Sequence, residues 1–473
     1  MAFLRYKQRG QKYYVYEVSN IWDKERKKYK QHSLYLGTAS EKGGVYSKTS
    51  LLRLVSKSEK AIVDYGDSYA LFSVLKSSGL QALLKDTLPQ YESVTALVLY
   101  QLISGDAMSH YQNWAEGNFA QYLFPKINLT SQRISELLKK LGNHETEQKF
   151  FKEYIARFFQ KRRGILIDST ALPSAMNSSL NSWGYSADGI DKKVGCLMLV
   201  DKESKLPIFF RAIPGEIADV STLKSTFKEI ELLGLKADQA IFDAGYFSES
   251  NIIYLCESGI SFISRMPKSR KVFGELADKH KHNLEDIANT VQYGDRYVFL
   301  KSVEISLYGY QMFAHIILDP DKKAQDIKYL MKEALGNQNE QNDTNKKLEQ
   351  AGILILISRH MVDQAEVLPS YYTRQSIEQI FGFAKSSNDL LPLRVHSEEA
   401  LRGYLFLNFI VLILFIQVRN QLQEEFTTKQ ALIILRNLKA KIFDSEILLT
   451  ELSKKQKTIF DLLNVTVPII PGI

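Results

Sequence analysis

The sequence predicts an α/β protein in which a mixed sheet packs against helices. Short, wholly apolar segments recur between residues 164 and 265, which is typical of buried strands. Their order is three strands, a helix, a strand, a helix and a strand, and this order favours a mixed sheet with helices against it. The chain has 473 residues, of which 45% are hydrophobic and 24% are charged. It is therefore long and apolar enough for several folded domains.

The first 46 residues predict a small basic β-ribbon. Tyr13–Val18 and His32–Leu36 are apolar and aromatic runs on either side of a charged turn. Residues 1–60 carry fourteen Lys or Arg against five Asp or Glu, a net charge of +9, whereas the whole chain carries +8. A basic segment on a nearly neutral remainder favours a nucleic-acid-binding arm, with a solvated charged face as the alternative.

Residues 47–160 predict a helical region, which we interpret as DNA-binding. Leu, Val and Ile recur there with helical periodicity and few turn residues interrupt them. Within it, Asn128–Gly142 predicts a helix that begins at Thr130 or Ser131. That helix fits a helix-turn-helix unit, or else a plain core helix.

Residues 161–265 predict the first part of the α/β core. The predicted elements, in chain order, are Ile165–Ile167, Cys196–Asp201, Pro207–Arg211, the helix Asp219–Leu233, Ala240–Phe242, the helix Ser248–Ser258 and Ile260–Ser264. A charged turn joins the second and third strands into a hairpin. Gly234 ends the first helix and Ser248 caps the second.

Two acidic residues directly follow apolar strands of this core. Asp168 follows Ile165–Ile167, and Asp243 follows Ala240–Phe242. An ionised carboxylate at the end of a buried strand needs a partner or a metal ion, because burial without one is costly. Each residue alone could be a cap or a turn residue. Two equivalent strand ends, together with a third carboxylate, favour a site for Mg²⁺ or Mn²⁺.

The third carboxylate lies in a segment with a regular polar pattern, residues 371–385. Tyr371, Arg374, Glu378 and Lys385 stand at offsets that place all four on one narrow stripe of a helix. A carboxylate between two cations and a phenol suits a metal ion and a phosphate held together. An ordinary amphipathic helix with surface Arg–Glu pairs is the alternative.

The chain resembles the DDE transposases of bacterial insertion sequences, and more narrowly the insertion-sequence-four group. That group carries a Tyr-x2-Arg-x3-Glu-x6-Lys signature, which the same four residues match at every spacing. Asp243–Phe247 resembles the motif around the second Asp of the family. Pro214–Asp219 resembles its Pro-Gly-Asn-x-x-Asp stretch, with Glu216 where Asn is usual.

The resemblance implies a ribonuclease-H-like core in two parts, residues 161–265 and 353–420, separated by an insertion at 266–352. The insertion is predicted to be mostly β, because residues 297–307 and 310–318 predict two strands joined at Tyr308-Gly309. Residues 421–473 are expected to form a C-terminal helical region.

The resemblance also implies a role for each candidate site residue. Asp168, Asp243 and Glu378 would be the catalytic carboxylates and would bind two divalent metal ions, Mg²⁺ with Mn²⁺ as a substitute. Tyr371, Arg374 and Lys385 would hold DNA phosphates near the cleavage point.

The function implied is that of an endonuclease and strand-transfer enzyme that moves an insertion sequence. Its partner would be double-stranded DNA, both element ends and target, bound by a homodimer. A metal-dependent nuclease that cuts without joining is the first alternative. A DNA-binding protein derived from a transposase but catalytically inactive is the second, and the three intact carboxylates disfavour it.

Composition sets the expected compartment. Cys196 and Cys256 are the two cysteines, and they lie in no CxxC pattern, so neither a disulfide framework nor a zinc finger is expected. The opening residues become charged at once, unlike a signal peptide. The apolar run Tyr404–Ile416 is too short to span a membrane and predicts a buried core helix. We therefore expect a cytoplasmic, nucleoid-associated bacterial protein without a membrane partner.

Overall fold

A computed structural model describes most of the chain. The described residues are 2–23, 28–43, 47–48, 59–174, 176, 178–186, 189–216, 219–336, 347–387, 393, 395, 397–444 and 446–467. They divide into two compact units. The first consists of Met1–Val63 with Lys439–Glu451, and the second of Asp64–Leu438 with Leu452–Val467. The finer division into six segments remains a prediction.

In the described part of the chain, the α-helices lie in the second unit, whereas the first unit contains strands. The strands are β1 (Ala2–Arg9), β2 (Lys12–Asp23), β3 (Lys28–Ala39), β4 (Ser47–Lys48), β5 (Glu59–Asp64), β6 (Arg163–Pro173), β7 (Ser182–Ser186), β8 (Gly189–Asp201), β9 (Pro207–Pro214), β10 (Ala237–Phe242), β11 (Ser261–Arg265), β12 (Thr290–Tyr293), β13 (Arg296–Leu307), β14 (Tyr310–Leu318), β15 (Ile353–Ser358), β16 (Lys439–Phe443) and β17 (Ile447–Leu449). The α-helices are α1 (Gly66–Ser77), α2 (Leu80–Thr87), α3 (Tyr91–Ser104), α4 (Tyr111–Glu116), α5 (Ala120–Leu123), α6 (Ser131–Leu141), α7 (His144–Phe158), α8 (Asp219–Leu232), α9 (Glu249–Glu257), α10 (Lys271–His280), α11 (Pro320–Gly336), α12 (Gln364–Tyr372), α13 (Gln375–Ser387), α14 (Glu398–Gln421), α15 (Thr428–Arg436) and α16 (Lys454–Leu462).

The first unit contains two small sheets. Strands β1 to β4 form an antiparallel sheet in chain order, which confirms the predicted N-terminal β structure. Strand β5 joins β16 and β17 in a three-stranded sheet. The helical content expected for two segments is therefore incomplete. The segment from residue 47 begins with strands rather than helices, and the C-terminal segment contains a hairpin as well as helices, since β16 pairs with β17.

The second unit is built on a mixed sheet, as the sequence predicts, and this sheet has ten strands. Its order is β12-β13-β14-β15-β11-β10-β6-β8-β7, with β9 paired to the other edge of β8. Strand β10 is parallel to both β6 and β11, and the remaining pairs are antiparallel. The predicted hairpin is β8 with β9. Ser248 caps α9 and Thr130 caps α6, both as predicted.

Strand β6 is longer than its apolar run. It continues to Pro173, since residues 165–173 all pair with β8. Asp168 therefore lies inside the strand, whereas the sequence placed it at the strand's end. Its side chain alternates with the buried Ile167 and so faces the opposite side of the sheet. Beyond Ile167, the alternate residues Asp168 and Thr170 of the strand face the candidate site and are polar. The apolar run therefore ends there, although the strand continues.

The expected separate, mostly β insertion is wrong in two respects. Strand β14 pairs with β15 along Phe313–Leu318, so β12, β13 and β14 extend the core sheet. The segment also contains the helices α10 and α11. Register between distant strands is set by tertiary packing, and the local pattern carries little information about it. The predicted turn at Tyr308-Gly309 does join β13 to β14, and both residues have positive φ.

Helix α14 is the core helix that the apolar run predicts. It is long and apolar enough to cross a membrane, but 89% of its most apolar window is buried inside the protein, as in the core helix of a globular fold. It packs closely on α6, where Gly403 approaches the carbonyl oxygen of Leu138. It also contacts α3 and β9, so it packs against both the helical region and the sheet.

Candidate active site

The first candidate carboxylate is held on β6 by two donors. The Oδ1 atom of Asp168 accepts a hydrogen bond from the backbone N–H of Ser169 at 2.9 Å. Its Oδ2 atom accepts one from Nη1 of Arg374 at 2.6 Å. The side chain is 17% exposed, so both oxygens lie in a largely desolvated place.

The second carboxylate, Asp243, immediately follows β10, the strand parallel to β6. Its Oδ1 atom accepts a hydrogen bond from the Tyr371 hydroxyl at 2.9 Å. Tyr371 is only 3% exposed. Burial and the charge of Asp243 raise the pKa of Tyr371, so the phenol stays protonated and continues to donate. This contact fixes the orientation of one Asp243 oxygen.

The segment from Tyr371 to Lys385 forms two helices rather than the single helix that its periodicity predicts. Helix α12 ends at Tyr372 and α13 begins at Gln375, so Arg374 lies in the connecting turn. The hydroxyl of Thr373 donates to the carbonyl of Pro369, and that of Ser376 donates to the carbonyl of Thr373. Such side-chain bonds to carbonyls bend helices. Pro369 also removes one backbone donor from α12.

Arg374 is the centre of the charge cluster. Its Nη1 contacts Asp168, and its Nη2 lies 3.1 Å from Oε1 of Glu378. The guanidinium therefore bridges the first and third predicted carboxylates. Burial opposes its charge, but the surrounding carboxylates outweigh burial and raise the pKa of Arg374. Its Nε atom is buried and has no hydrogen-bond partner among the described residues.

The carboxylates influence one another electrostatically. The pKa of Asp168 is raised to about 6, first by burial and also by the negative charges of Glu378 and Asp243. Arg374 and the Ser169 N–H oppose this rise without cancelling it. Glu378 is 54% exposed, so the cluster opens toward solvent on that side. The site thus carries more negative charge than its one bridging cation neutralises.

Lys385 lies in the last turn of α13 and reaches the same strand as Arg374. Its Nζ donates to Oγ1 of Thr170 at 2.6 Å and to the carbonyl of Ala171 at 3.0 Å. Arg374 and Lys385 therefore attach α13 and the turn before it to β6 at positions 168 and 170, which share one face of the strand. The sequence does not predict a role for Thr170, although its two-residue spacing from Asp168 is visible there.

The structure brings all six predicted site residues into one region, but the carboxylates do not form a ready-made metal centre. In the described part of the chain, no three His, Cys, Asp or Glu side chains have metal-binding spacing. Arg374 occupies the space between Asp168 and Glu378. Of the Pro214–Asp219 stretch, residues 217 and 218 lie outside the described residues.

A family model described as the transposase DDE domain matches residues 159–414, which is more than half of the 473 residues. The chain belongs to this family. The matched region of this DDE transposase contains the complete charge cluster.

Two solved structures show how this DDE transposase compares with known proteins. The piggyBac transposase synaptic complex with hairpin DNA is 11% identical, with 78% of this chain and 79% of that chain covered and a TM-score of 0.44. The Drosophila P element transposase strand transfer complex is 12% identical, with 66% and 68% covered and a TM-score of 0.16. No curated protein matches the chain.

Proposed function

We propose that the protein binds the terminal inverted repeats of an insertion sequence, cuts the element out and joins it to target DNA. The observation that carries this proposal is the cluster of Asp168, Asp243 and Glu378 within the matched family domain. Such a site suits phosphoryl transfer, in which positioning and charge stabilisation provide most of the catalysis.

The three carboxylates fit a divalent metal ion. Their ligand atoms are all oxygens, which Mg²⁺ and Mn²⁺ prefer. Burial raises the pKa of Asp168, and the charges of Glu378 and Asp243 raise it further, so a bound cation would stabilise the ionised carboxylate. Asp168, Asp243 and Glu378 would hold two such ions. When bound, these ions would activate the attacking oxygen and stabilise the leaving oxygen.

The remaining residues position the carboxylates and the DNA. Tyr371 is buried and engaged with Asp243, so its contacts support an orienting role for that carboxylate. Arg374 contacts Asp168 and Glu378, so its contacts support an orienting role for these two carboxylates. Lys385, tied to Thr170, would place a positive charge beside the DNA backbone. Contacts from all three to DNA phosphates remain part of the proposal.

The finer assignments follow from the same residues. The match of Tyr371, Arg374, Glu378 and Lys385 to the Tyr-Arg-Glu-Lys signature supports membership of the insertion-sequence-four group. The mixed sheet, with β6 and β10 parallel, is consistent with a ribonuclease-H-like core. We further propose a homodimer on double-stranded DNA that works in the bacterial cytoplasm, at the nucleoid.

The test uses labelled duplexes that carry the inverted repeats flanking the gene, incubated with the full-length protein and Mg²⁺ or Mn²⁺. Asp168→Ala, Asp243→Ala and Glu378→Gln should each abolish cleavage and strand transfer while DNA binding without metal persists. Glu398→Gln, at an Arg–Glu pair of α14, is the matched control and should cleave normally.

Each outcome decides a separate point. Cleavage that survives in one carboxylate variant removes that residue from the site. Cleavage without joined products assigns the protein as a nuclease. DNA binding without any cleavage by the unmodified protein, in either metal, contradicts the catalytic proposal.

A further inference from the structure

The N-terminal sheet gathers its cations on one face. In the β1–β2 pairing, Arg5 is opposite Tyr16, Lys7 is opposite Tyr14 and Arg9 is opposite Lys12. Residues directly opposite one another in an antiparallel pair point to the same side of the sheet. The four cations Arg5, Lys7, Arg9 and Lys12 therefore share one face, which we name the cation face.

Tyrosine rings lie beneath these cations. The Lys7 ammonium is 5.4 Å from the centroid of the Tyr16 ring, and the Arg9 guanidinium is 6.0 Å from that of Tyr14. Tyr35 of β3 contacts both rings, with centroids 5.3 and 5.9 Å away. Cation–π contact holds the cation stems along the rings. Lys7 and Arg9 are nevertheless exposed, so their charged ends reach solvent.

Acidic residues are missing from this face in the described part of the sheet. The acids of β2 are at odd positions, 17 and 23, and alternation places them on the other side. Strands β1 and β3 contain no Asp or Glu. The four cations thus repel one another without an internal counter-charge. A polyanion would supply the missing charge, which is why the face is charge-complementary to nucleic acid.

The spacing of the cations agrees with a phosphate backbone. Side chains two residues apart on one strand are about 6.8 Å apart, which is twice the ~3.4 Å rise per phosphate of one DNA strand. The half-buried tyrosines are covered by cations and by one another, so their rings are not free to stack bases. Phosphate contact is therefore the interaction that this geometry favours.

We propose that the cation face binds the backbone of duplex DNA without reading its sequence. This inference rests on the proposed function, because it takes DNA as the partner of the protein. The face would add affinity outside the carboxylate cluster and would act without metal.

The experiment measures binding of the full-length protein to a duplex of arbitrary sequence by fluorescence anisotropy, with a chelator present and over a series of salt concentrations. Lys7→Ala/Arg9→Ala should weaken binding on the order of tenfold. It should also flatten the plot of log K against log salt by about 2, since each phosphate contact contributes about 0.9. The control, Lys28→Ala/Lys42→Ala, also removes two positive charges. Lys28 is opposite Asp23, on the other face, and Lys42 lies in a loop, so the control should bind much like the unmodified protein.

A second variant distinguishes the loss of charge from misfolding. Lys7→Arg/Arg9→Lys retains both charges and should restore binding and slope. Equal binding by the two alanine variants overturns the proposal, as does tighter binding to a single strand than to the duplex. If the unmodified protein binds this duplex but cleaves no DNA in either metal, the result counts against the proposed function and leaves the cation face unaffected.

Discussion

Replacing Arg374 with Gln removes the cation that bridges Asp168 and Glu378. The two pairs differ in burial, since Asp168 is 17% exposed and Glu378 is 54% exposed. Loss of the exposed pair should cost about 0–1 kcal/mol. Loss of the buried pair should cost about 3 kcal/mol, because it leaves an ionised carboxylate without compensation.

The loss of stability in Arg374→Gln should depend on pH, and the direction of this dependence follows from the pKa of Asp168. That pKa is about 6 with Arg374 in place, and removing the cation raises it further. At pH 5, Asp168 is largely protonated in the folded forms of both proteins, so the variant loses little. At pH 8 only the variant must either bury an unpaired charge or take up a proton, so the destabilisation should approach its full ~3 kcal/mol.

The assay is urea unfolding with a chelator present, at pH 5 and pH 8. Asp168→Asn/Arg374→Gln completes a double-mutant cycle, in which the effect of Arg374 should nearly vanish once Asp168 is neutral. Arg157→Gln, from the more exposed pairs with Asp86 and Glu153, is the control and should change stability by less than about 1 kcal/mol at either pH. A destabilisation of equal size at both pH values would refute the reasoning.

Three further results are expected. Tyr371→Phe removes the donor to Asp243. It should slow DNA cleavage by about 10- to 100-fold, as losing an orienting contact does, and lower stability by about 1.5–3 kcal/mol. Burial raises the pKa of Glu147 to about 8, so the stability of the wild-type protein should fall as pH rises from about 4.5 to 8. Glu147→Gln should remove this loss. In urea unfolding at pH 9, the variant should therefore be more stable than the wild type by a few kcal/mol. Gly403→Ala would place a Cβ against the Leu138 carbonyl oxygen and should lower stability by about 3 kcal/mol or more, measured as a lower thermal midpoint.

Local chemistry explains which elements the sequence could predict. The caps at Thr130 and Ser248 and the turn at Tyr308-Gly309 depend on a few neighbouring residues, so they were visible in the sequence. The pairing of β14 with β15 depends on residues about 40 positions apart, and nothing local specifies that partner. An apolar run marks a strand only while both faces are buried, so β6 was predicted to end at Ile167.

The sequence predicts the six residues that the structure brings into one region, but it does not predict their contacts. Regular spacing identified Tyr371, Arg374, Glu378 and Lys385 as a group, on the assumption of one continuous helix. At the break, the Thr373 hydroxyl donates to the Pro369 carbonyl, which also accepts from the Thr373 N–H. Such local bonds leave no trace in the hydrophobic period.

Because of this break, the segment from Tyr371 to Lys385 contacts residues at two different strands. Tyr371, at the end of α12, reaches Asp243 beyond β10, whereas Lys385, at the end of α13, reaches Thr170 on β6. A single straight helix would run in one direction past both strands, whereas two helices can run in different directions. With two helices, the turn between them places Arg374 against Asp168, and Glu378 falls in the first turn of α13. A carboxylate is favourable there, because the N-terminal end of a helix carries partial positive charge.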